Sequence, residues 1–253
     1  MSTGVLSSYP LLSIMLNLPP PTSNDVIGLF LSFSYSLSLL GVAEVIRVLY
    51  RFDTDFTRKI VHVGAGCWVW GVLYFFDHWE YAMIPFTSYI GLNWVFLRWR
   101  ILKSATPGTV YFCISITLLL STLHTSFQSG FPRGPISHII MTGAMAMTFG
   151  DAMASLVGRR FGKHRLTSTG LPYADPRKSV EGATACFVTV FCTTIVTFVL
   201  TSPVPGGMGT FVVFGGAVVA AVLATLLEAV SPHGIDNLTV PLGVPLGLWL
   251  LGF

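Results

Sequence analysis

An acidic residue inside an apolar stretch is the strongest chemical signal in this sequence. Asp151 lies within the apolar run 135–158, which is long enough to cross a lipid bilayer. A carboxylate near the middle of a membrane costs roughly 2.5–3.5 kcal/mol on insertion scales, so such a residue usually serves a function. A basic turn containing two glycines follows directly at 158–163. An acid beside several cations is suited to holding a divalent metal ion and a polyphosphate at a membrane face.

The composition places the chain among the membrane proteins. Only 10% of the residues are charged, against roughly 25% in soluble domains, and the mean hydropathy is +0.72. The net charge of +3 is too small to indicate a nucleic-acid partner, and there is no arginine-rich tail. The cysteines lack the spacing of a zinc site and are predicted to be small buried side chains. They are Cys67, Cys113, Cys186 and Cys192.

Apolar runs separated by charged or Pro/Gly-rich turns predict an all-α fold, a polytopic membrane helix bundle with seven or eight transmembrane helices. A crossing helix needs about 20 residues, with about 17 as a lower limit. The last run is short and contains two prolines, so the pattern leaves open whether it spans. The predicted spans lie near residues 26–48, 60–76, 81–97, 108–127, 136–157, 179–201, 210–230 and 238–252.

The chain divides into an N-terminal segment, 1–24, and a single catalytic membrane domain, 25–253. The segment carries no basic residue, which argues against a secretory signal or an arginine-rich transit peptide. A position on the membrane surface is one interpretation of it.

The distribution of Lys and Arg predicts the orientation. If the spans alternate, thirteen of the fourteen fall on one side and Arg133 alone on the other. The positive-inside rule makes the rich side cytoplasmic, or stromal in a plastid, with the N-terminus outside. The thirteen are Arg47, Arg51, Arg58, Lys59, Arg98, Arg100, Lys103, Arg159, Arg160, Lys163, Arg165, Arg177 and Lys178.

This topology brings the polar residues of several helices to the cytoplasmic face. Asp151 is predicted about 10 Å from the cytoplasmic end of its span, at 1.5 Å per residue. The other polar residues lie at the ends of spans or in turns beside the basic loops. They are Glu44, His62, Glu181, Glu228, Asp236 and Asn237.

Structural roles compete with functional ones for most of these residues. Glu44 can pair with Arg47 three residues later. Glu181 can complement a helix dipole, Glu228 can end a helix at the headgroups, and the basic loops can serve only to set orientation. The depth of Asp151 makes a functional role the better interpretation. Beside it, the small residues at 150, 154 and 158 predict close packing against a neighbouring helix.

The ordered motifs resemble the polyprenol kinase family, which includes phytol, farnesol and dolichol kinases and a CTP-dependent diacylglycerol kinase. The resemblance covers about residues 55–250 and is greatest to the phytol/farnesol branch. The motifs are Arg58-Lys59-xx-His62, Gly-Asp-Ala at 150–152, the Gly-Arg and Gly-Lys pairs within 158–163, Arg-Lys-Ser-Val-Glu-Gly at 177–182, Glu-Ala-Val-Ser at 228–231 and Asp-Asn-Leu-Thr-Val-Pro at 236–241.

The resemblance implies transfer of the γ-phosphate of a nucleoside triphosphate, typically CTP, to a membrane-dissolved isoprenoid alcohol such as phytol, geranylgeraniol or farnesol. It also implies Mg²⁺ and a cyanobacterial, bacterial or plastid membrane. Catalytic roles are expected for Asp151, Lys178, Glu181 and His62. Metal ligands are expected among Asp151, Glu181, Glu228 and Asp236. Nucleotide contacts are expected from Arg58, Lys59, Arg160, Gly162, Lys163, Arg177, Lys178 and Asn237.

Several alternatives remain open at this stage. CTP is not distinguished from ATP, and either a carboxylate or His62 can take the hydroxyl proton. The motif run is also similar to the CTP:phosphatidate cytidylyltransferases, although the segment 231–237 lacks an arginine after Asp236. A membrane transporter is a third interpretation, but the acids cluster at one face, whereas a transport path needs polar access from both sides.

Overall fold

The computed structural model describes residues 18–51, 54–101, 106–122, 134–170, 173–204, 207–232 and 234–253. Most of the segment 1–24, for which a position on the membrane surface is one interpretation, therefore lies outside the described residues. The helices are α1 Ser23–Tyr50, α2 Thr54–Phe75, α3 Trp79–Trp99, α4 Pro107–Thr122, α5 Ser137–Met145, a π-helical turn Ala146–Asp151, α6 Ala152–Phe161, a 3₁₀ turn Leu166–Thr169, α7 Val180–Leu200, α8 Thr210–Val230 and α9 Asp236–Leu250.

The predicted all-α class is confirmed. Among the described residues, the only β-type pairing is an isolated bridge between Arg165 and Ser179. Each predicted apolar run corresponds to a helix, with α5, the π turn and α6 together forming the fifth. Four described helices are long and apolar enough to cross a membrane, namely Ser23–Tyr50, Ser137–Phe161, Val180–Leu200 and Thr210–Val230. The count of seven or eight spans and the outside N-terminus stay predictions.

A buried carboxylate fixes the start of α1 against the turn between α2 and α3. Asp25 and Thr22 form a reciprocal capping box at the beginning of α1. The Oδ1 atom of Asp25 also accepts hydrogen bonds from the backbone N–H groups of Asp77 and His78, at 3.0 and 3.1 Å. Asp25 is fully buried, so these bonds hold the first three helices together at one end of the bundle.

The fifth helical segment is broken by the π turn at its centre. A π turn adds a residue to the helical turn and is frequent at functional sites. This turn ends at Asp151 and is almost entirely buried. It packs against α2, α7, α8 and α9, and thus links the N-terminal helices to the C-terminal ones. α6 continues to Phe161, so Asp151 lies ten residues from the helix end, about 15 Å rather than about 10 Å.

Small residues let α6 and the π turn approach α7 closely, as the four-residue spacing predicts. A Cβ atom added to Gly150 would lie 2.7 Å from the Cγ2 of Val190, and one added to Gly158 would lie 3.1 Å from the Oγ of Ser179. α7 itself begins at the N-cap Ser179, whose side chain accepts from the N–H of Gly182. This close contact sets the position of Asp151 relative to the start of α7.

Gly66→Ala is expected to destabilise the protein by about 1–3 kcal/mol through overpacking of α2 against the π turn. A Cβ atom there would overlap the Oγ1 and Cγ2 of Thr148 and lie 2.7 Å from its Cβ, so rotation of the threonine gives no relief. Thermal unfolding in detergent measures the effect. Gly41→Ala is the matched control, because nothing lies within 4 Å of its added Cβ. An unchanged melting temperature for Gly66→Ala would contradict the close packing.

Candidate active site

Three carboxylates from separate helices meet at one end of the bundle. Asp151 ends the π turn, Glu228 lies in the last turn of α8, and Asp236 begins α9. One oxygen of each lies within 4.8 Å of the other two. Three carboxylates this close repel each other unless cations neutralise their charge, so their grouping indicates a site that binds cations.

Two lysines supply part of that compensation. The Nζ of Lys59, at the start of α2, lies 2.5 Å from the Oδ2 of Asp151. The Nζ of Lys178 lies 2.9 Å from the Oε1 of Glu228 and 3.4 Å from the Oδ2 of Asp236, and it also donates to the backbone carbonyl of Glu228. All five side chains are at most 16% exposed. The site therefore alternates acids and ammonium groups in a mostly buried setting.

His62 is held by the π turn beside Asp151. Its Nε2 lies 3.2 Å from the backbone oxygen of Met147 and 3.5 Å from the Oδ2 of Asp151, and its ring contacts Phe112 edge-on. A carbonyl oxygen only accepts hydrogen bonds, so this geometry assigns the proton to Nε2. The nitrogen nearest Asp151 is therefore a donor, which bears on the choice of proton acceptor.

The loop before α7 positions Lys178. Asp175 accepts two hydrogen bonds from the Arg177 side chain and one from its backbone N–H. The Asp175 backbone N–H donates to Ala229 at 3.1 Å, and its carbonyl accepts from Lys178 at 3.0 Å. Burial alone would lower the pKa of the Lys178 ammonium, but the carboxylates of Glu228 and Asp236 raise it above its usual value. Lys178 is thus held charged.

Asp175→Asn is expected to lower the free energy of unfolding by about 2 kcal/mol at neutral pH. The hydrogen bond from Arg177 lowers the pKa of Asp175 to about 2, from an ordinary value of 3.8. Because the folded-state pKa is the lower one, the carboxylate stabilises the protein above about pH 4 and loses this contribution as the pH falls through about 2. The difference in the free energy of unfolding between wild type and variant should therefore shrink as the pH falls from about 4 to about 2. A difference independent of pH would contradict the pairing.

The acid–lysine cluster opens into a cavity of about 580 Å³ that has a polar end and an apolar end. The polar end contains the cluster and the cationic side chains around it. The apolar part runs between α1, α2, α3 and α4. It is lined by Leu39, Leu40, Val61, Ala65, Trp68, Pro85, Phe86, Tyr89 and Phe112. One compartment can therefore hold an anionic group and an apolar chain side by side.

Most of the residues predicted for the site meet at this cavity. Its wall includes Arg58, Lys59, His62, Asp151, Gly162, Arg177, Lys178, Glu228, Asp236 and Asn237. The Oδ1 of Asn237 is buried without a hydrogen-bond partner among the described residues. It leaves a buried acceptor beside the cluster, available to a ligand donor.

Three predicted residues lie outside the cavity wall. The structure does not bring Glu181 into the carboxylate cluster, because its Oε1 pairs with the Nδ1 of His164 at 2.8 Å. Arg160 lies over the ring of Phe161 and is exposed, and Lys163 is exposed on the same surface. Glu44 pairs with Arg47, which confirms the interpretation given to it.

The sequence interpretation passed over other cavity residues. Arg159 and Arg165 line the polar end but were treated as part of a basic loop. The apolar chamber was missed as well. Its signal was the spacing after Arg58, since Val61, Ala65 and Trp68 recur along α2 at helical intervals and line the same cavity.

The cluster fits a magnesium ion by its donor set. Mg²⁺ binds oxygen, usually through one or two carboxylates with substrate phosphates and waters completing its shell. Asp151, Glu228 and Asp236 supply carboxylate oxygens within 4.8 Å of each other, and the cationic wall beside them is suited to phosphate oxygens. These residues are therefore the candidate metal ligands.

Comparison with known proteins now identifies the family. The model of the cytidylyltransferase family matches residues 24–234. Phytol kinase of Synechocystis sp. is 32% identical over 229 residues, which cover 88% of this chain and 91% of that protein. The chain belongs to the cytidylyltransferase family. The predicted resemblance to the polyprenol kinases is confirmed.

Other members of the family show how far the similarity extends. Dolichol kinase of Schizosaccharomyces pombe is 30% identical over 128 residues, covering 50% of this chain and 23% of that protein. Probable phytol kinase 2 of Oryza sativa, described as chloroplastic, is 26% identical over 260 residues, covering 89% and 76%. No solved structure matches the chain. The family match spans Asp151, Glu228 and the helices that line the apolar chamber, and it ends two residues before Asp236.

Proposed function

We propose that this protein is a CTP-dependent lipid-alcohol kinase that phosphorylates an isoprenoid alcohol at the cytoplasmic or stromal membrane face. The observation that carries the proposal is the single cavity that joins the acid–lysine cluster to an apolar chamber. A kinase with a water-soluble substrate does not need the apolar chamber. A protein that only binds lipid does not need three clustered carboxylates. The names of the relatives, phytol kinase and dolichol kinase, agree with this substrate class.

The two substrates would enter the cavity from different phases. The triphosphate comes from the aqueous side, where Arg58, Arg159 and Arg177 lie at the polar end. The alcohol comes sideways from the lipid, with its tail in the apolar chamber and its hydroxyl beside Asp151. In the reaction, the alcohol oxygen bonds to the γ-phosphorus and the bond from that phosphorus to the β–γ bridging oxygen breaks. The products are an isoprenyl monophosphate and a nucleoside diphosphate.

The residues of the cluster would act mainly by positioning and charge, as in phosphoryl transfer generally. Bound at the carboxylates, Mg²⁺ would neutralise charge on the β- and γ-phosphates. Lys59 and Lys178 would direct their ammonium groups to phosphate oxygens. A carboxylate of the cluster is better placed than His62 to take the hydroxyl proton, because the His62 Nε2 already donates to Met147.

The proposal places the protein as a multi-pass protein of a bacterial, cyanobacterial or plastid membrane. Four described helices have the length and apolar character to cross one. The relatives include a protein of Synechocystis and a plant protein that is described as chloroplastic. The basic side of the predicted topology is the side of the cluster.

The description of the matching family favours one second candidate, a cytidylyltransferase that attaches CMP to a lipid phosphate. The polar end of the cavity suits either reaction, because both need a triphosphate and a metal. The two differ in which phosphorus is attacked, the γ or the α. This difference makes the candidates separable in one assay.

The assay uses purified protein in liposomes with Mg²⁺ and CTP labelled at either the γ or the α phosphate. Phytol, geranylgeraniol, farnesol and phosphatidate serve as acceptors. Label from the γ position on an isoprenoid alcohol supports the kinase, and parallel ATP and UTP reactions rank the donors. Label from the α position on phosphatidate overturns it in favour of the cytidylyltransferase. No transfer with any donor rejects both and returns the transporter interpretation.

A further inference from the structure

The apolar chamber has a closed end, and the lining of α2 shows where it is. Cavity-lining residues follow one face of this helix from Arg58 through His62 and Ala65 to Trp68. The next residues on that face, Val69 and Val72, are 2% and 0% exposed and belong to the packed core instead. Arg58 and Trp68 are ten residues apart, which corresponds to about 15 Å along the helix axis. The chamber therefore ends at the indole of Trp68.

The opposite walls close at the same level. On α3, Pro85 and Phe86 are the cavity-lining residues farthest from the cluster, and Ala82, one turn beyond, is fully buried. On α1, Ser36 lines the cavity, while Ser32, one turn beyond, is fully buried. Aromatic and small side chains thus form a floor across three helices.

Trp68 is the largest element of this floor, and its orientation is fixed. Its Nε1–H donates to the Oγ of Ser32 at 3.0 Å. Its ring stacks on Tyr35, with centroids 4.6 Å apart, and lies 5.9 Å from the ring of Phe75. An indole held by a hydrogen bond and by rings does not swing aside at low cost. It is a rigid stop rather than an adaptable one.

We propose that Trp68 sets the longest isoprenoid tail that the protein accepts as a substrate. This inference rests on the proposed kinase function and names the residue that determines its specificity. A longer tail would have to displace the indole from its bond to Ser32 and from its stack on Tyr35. A shorter tail leaves part of the chamber unfilled and forgoes apolar burial.

Removing the indole should lengthen the preferred substrate. For Trp68→Ala, the ratio of kcat/KM for a long polyprenol to that for farnesol should rise about tenfold or more, because a hydrophobic pocket discriminates by about 10–200-fold per methylene-sized difference. The change should appear mainly in KM, since Trp68 lies at the far end of the cavity from the cluster. Ser32→Ala keeps the indole but removes its hydrogen bond, so a smaller shift in the same direction is expected.

Controls separate the steric role from a general loss of structure. Trp68→Phe keeps an aromatic floor but loses the N–H that bonds to Ser32, so its shift should be smaller than that of Trp68→Ala. Trp94→Ala is the matched tryptophan change on α3, because Trp94 is 57% exposed and does not line the cavity; its profile should equal that of wild type. Direct binding of radiolabelled long polyprenol to each variant gives a readout that does not depend on turnover, and it should strengthen only when the indole is removed or freed.

Each result decides the question. A shift towards longer alcohols in Trp68→Ala or Ser32→Ala, absent in Trp94→Ala, supports the inference. Unchanged alcohol selectivity and unchanged polyprenol binding, in folded variants that still phosphorylate farnesol, overturn it and leave the kinase function standing. If wild-type protein phosphorylates no alcohol, the proposed function fails and the inference fails with it.

Discussion

Asp151→Asn is expected to lower kcat/KM for phosphoryl transfer by about a thousandfold or more, equivalent to about 4 kcal/mol of transition-state stabilisation. The amide keeps the size of the side chain but loses the negative charge that contacts Lys59 and faces the other two carboxylates. A metal ligand and the partner of a buried ammonium group are lost together. Turnover of γ-labelled CTP with phytol in liposomes measures the effect.

The matched control is Asp77→Asn. Asp77 is an exposed carboxylate that accepts from Thr22 and Asn24 beside the start of α1, away from the carboxylate cluster. We expect its activity within about twofold of wild type, since exposed surface substitutions have small effects. An Asp151→Asn protein that is folded and retains full activity would remove Asp151 from the mechanism and, with it, the proposed metal site.

Lys178→Met is expected to destabilise the protein by about 3–5 kcal/mol, because breaking a buried ion pair leaves uncompensated charge. Glu228 and Asp236 would then face each other without the ammonium group that contacts both. Methionine preserves the length of the side chain, so the loss reports on charge rather than on packing. Activity should fall as well, since the same ammonium group would contact phosphate.

The variant also predicts an unusual response to metal. Without Lys178, Glu228 and Asp236 lose the ammonium group that contacts both, and Mg²⁺ can take its place between them. Addition of Mg²⁺ should therefore raise the melting temperature of Lys178→Met more than that of wild type. Thermal unfolding with and without Mg²⁺ tests this. Lys163→Met is the matched control, because Lys163 is exposed and lies outside the cavity. An equal response to Mg²⁺ in all three proteins would contradict the metal assignment.

The sequence predicted the helices well because their signal is local. Apolar runs broken by charged or Pro/Gly-rich turns correspond to every helix of the bundle, and the motif residues Lys59, Asp151, Lys178, Glu228 and Asp236 meet as the topology requires. The sequence also predicted the close packing of α6 on α7, since small residues four positions apart leave one face of a helix without large side chains.

The features that could not be predicted depend on which of several possible partners a side chain contacts in the folded protein. Glu181 has the same carboxylate as the cluster acids, but the loop after α6 brings His164 to it first. No spacing rule shows that choice, because it depends on where an irregular loop returns. The floor at Trp68 was equally hidden, since a tryptophan within an apolar run is indistinguishable from a core residue until the helices that face it are known.

The π turn has a consequence for the rotational phase of the helix that contains it. In a regular α-helix each residue advances by roughly 100°, so one additional residue rotates everything downstream by that angle. Upstream, α5 packs its glycine at 143 against the prolines of α9. Downstream, α6 presents its small residues to α7, and Asp151, at the end of the π turn, lines the cavity. A continuous helix would satisfy only one of these two alignments. The single inserted residue therefore lets one segment serve two neighbours, and deletion of any residue between 146 and 150 should misdirect the carboxylate while leaving the composition of the site unchanged.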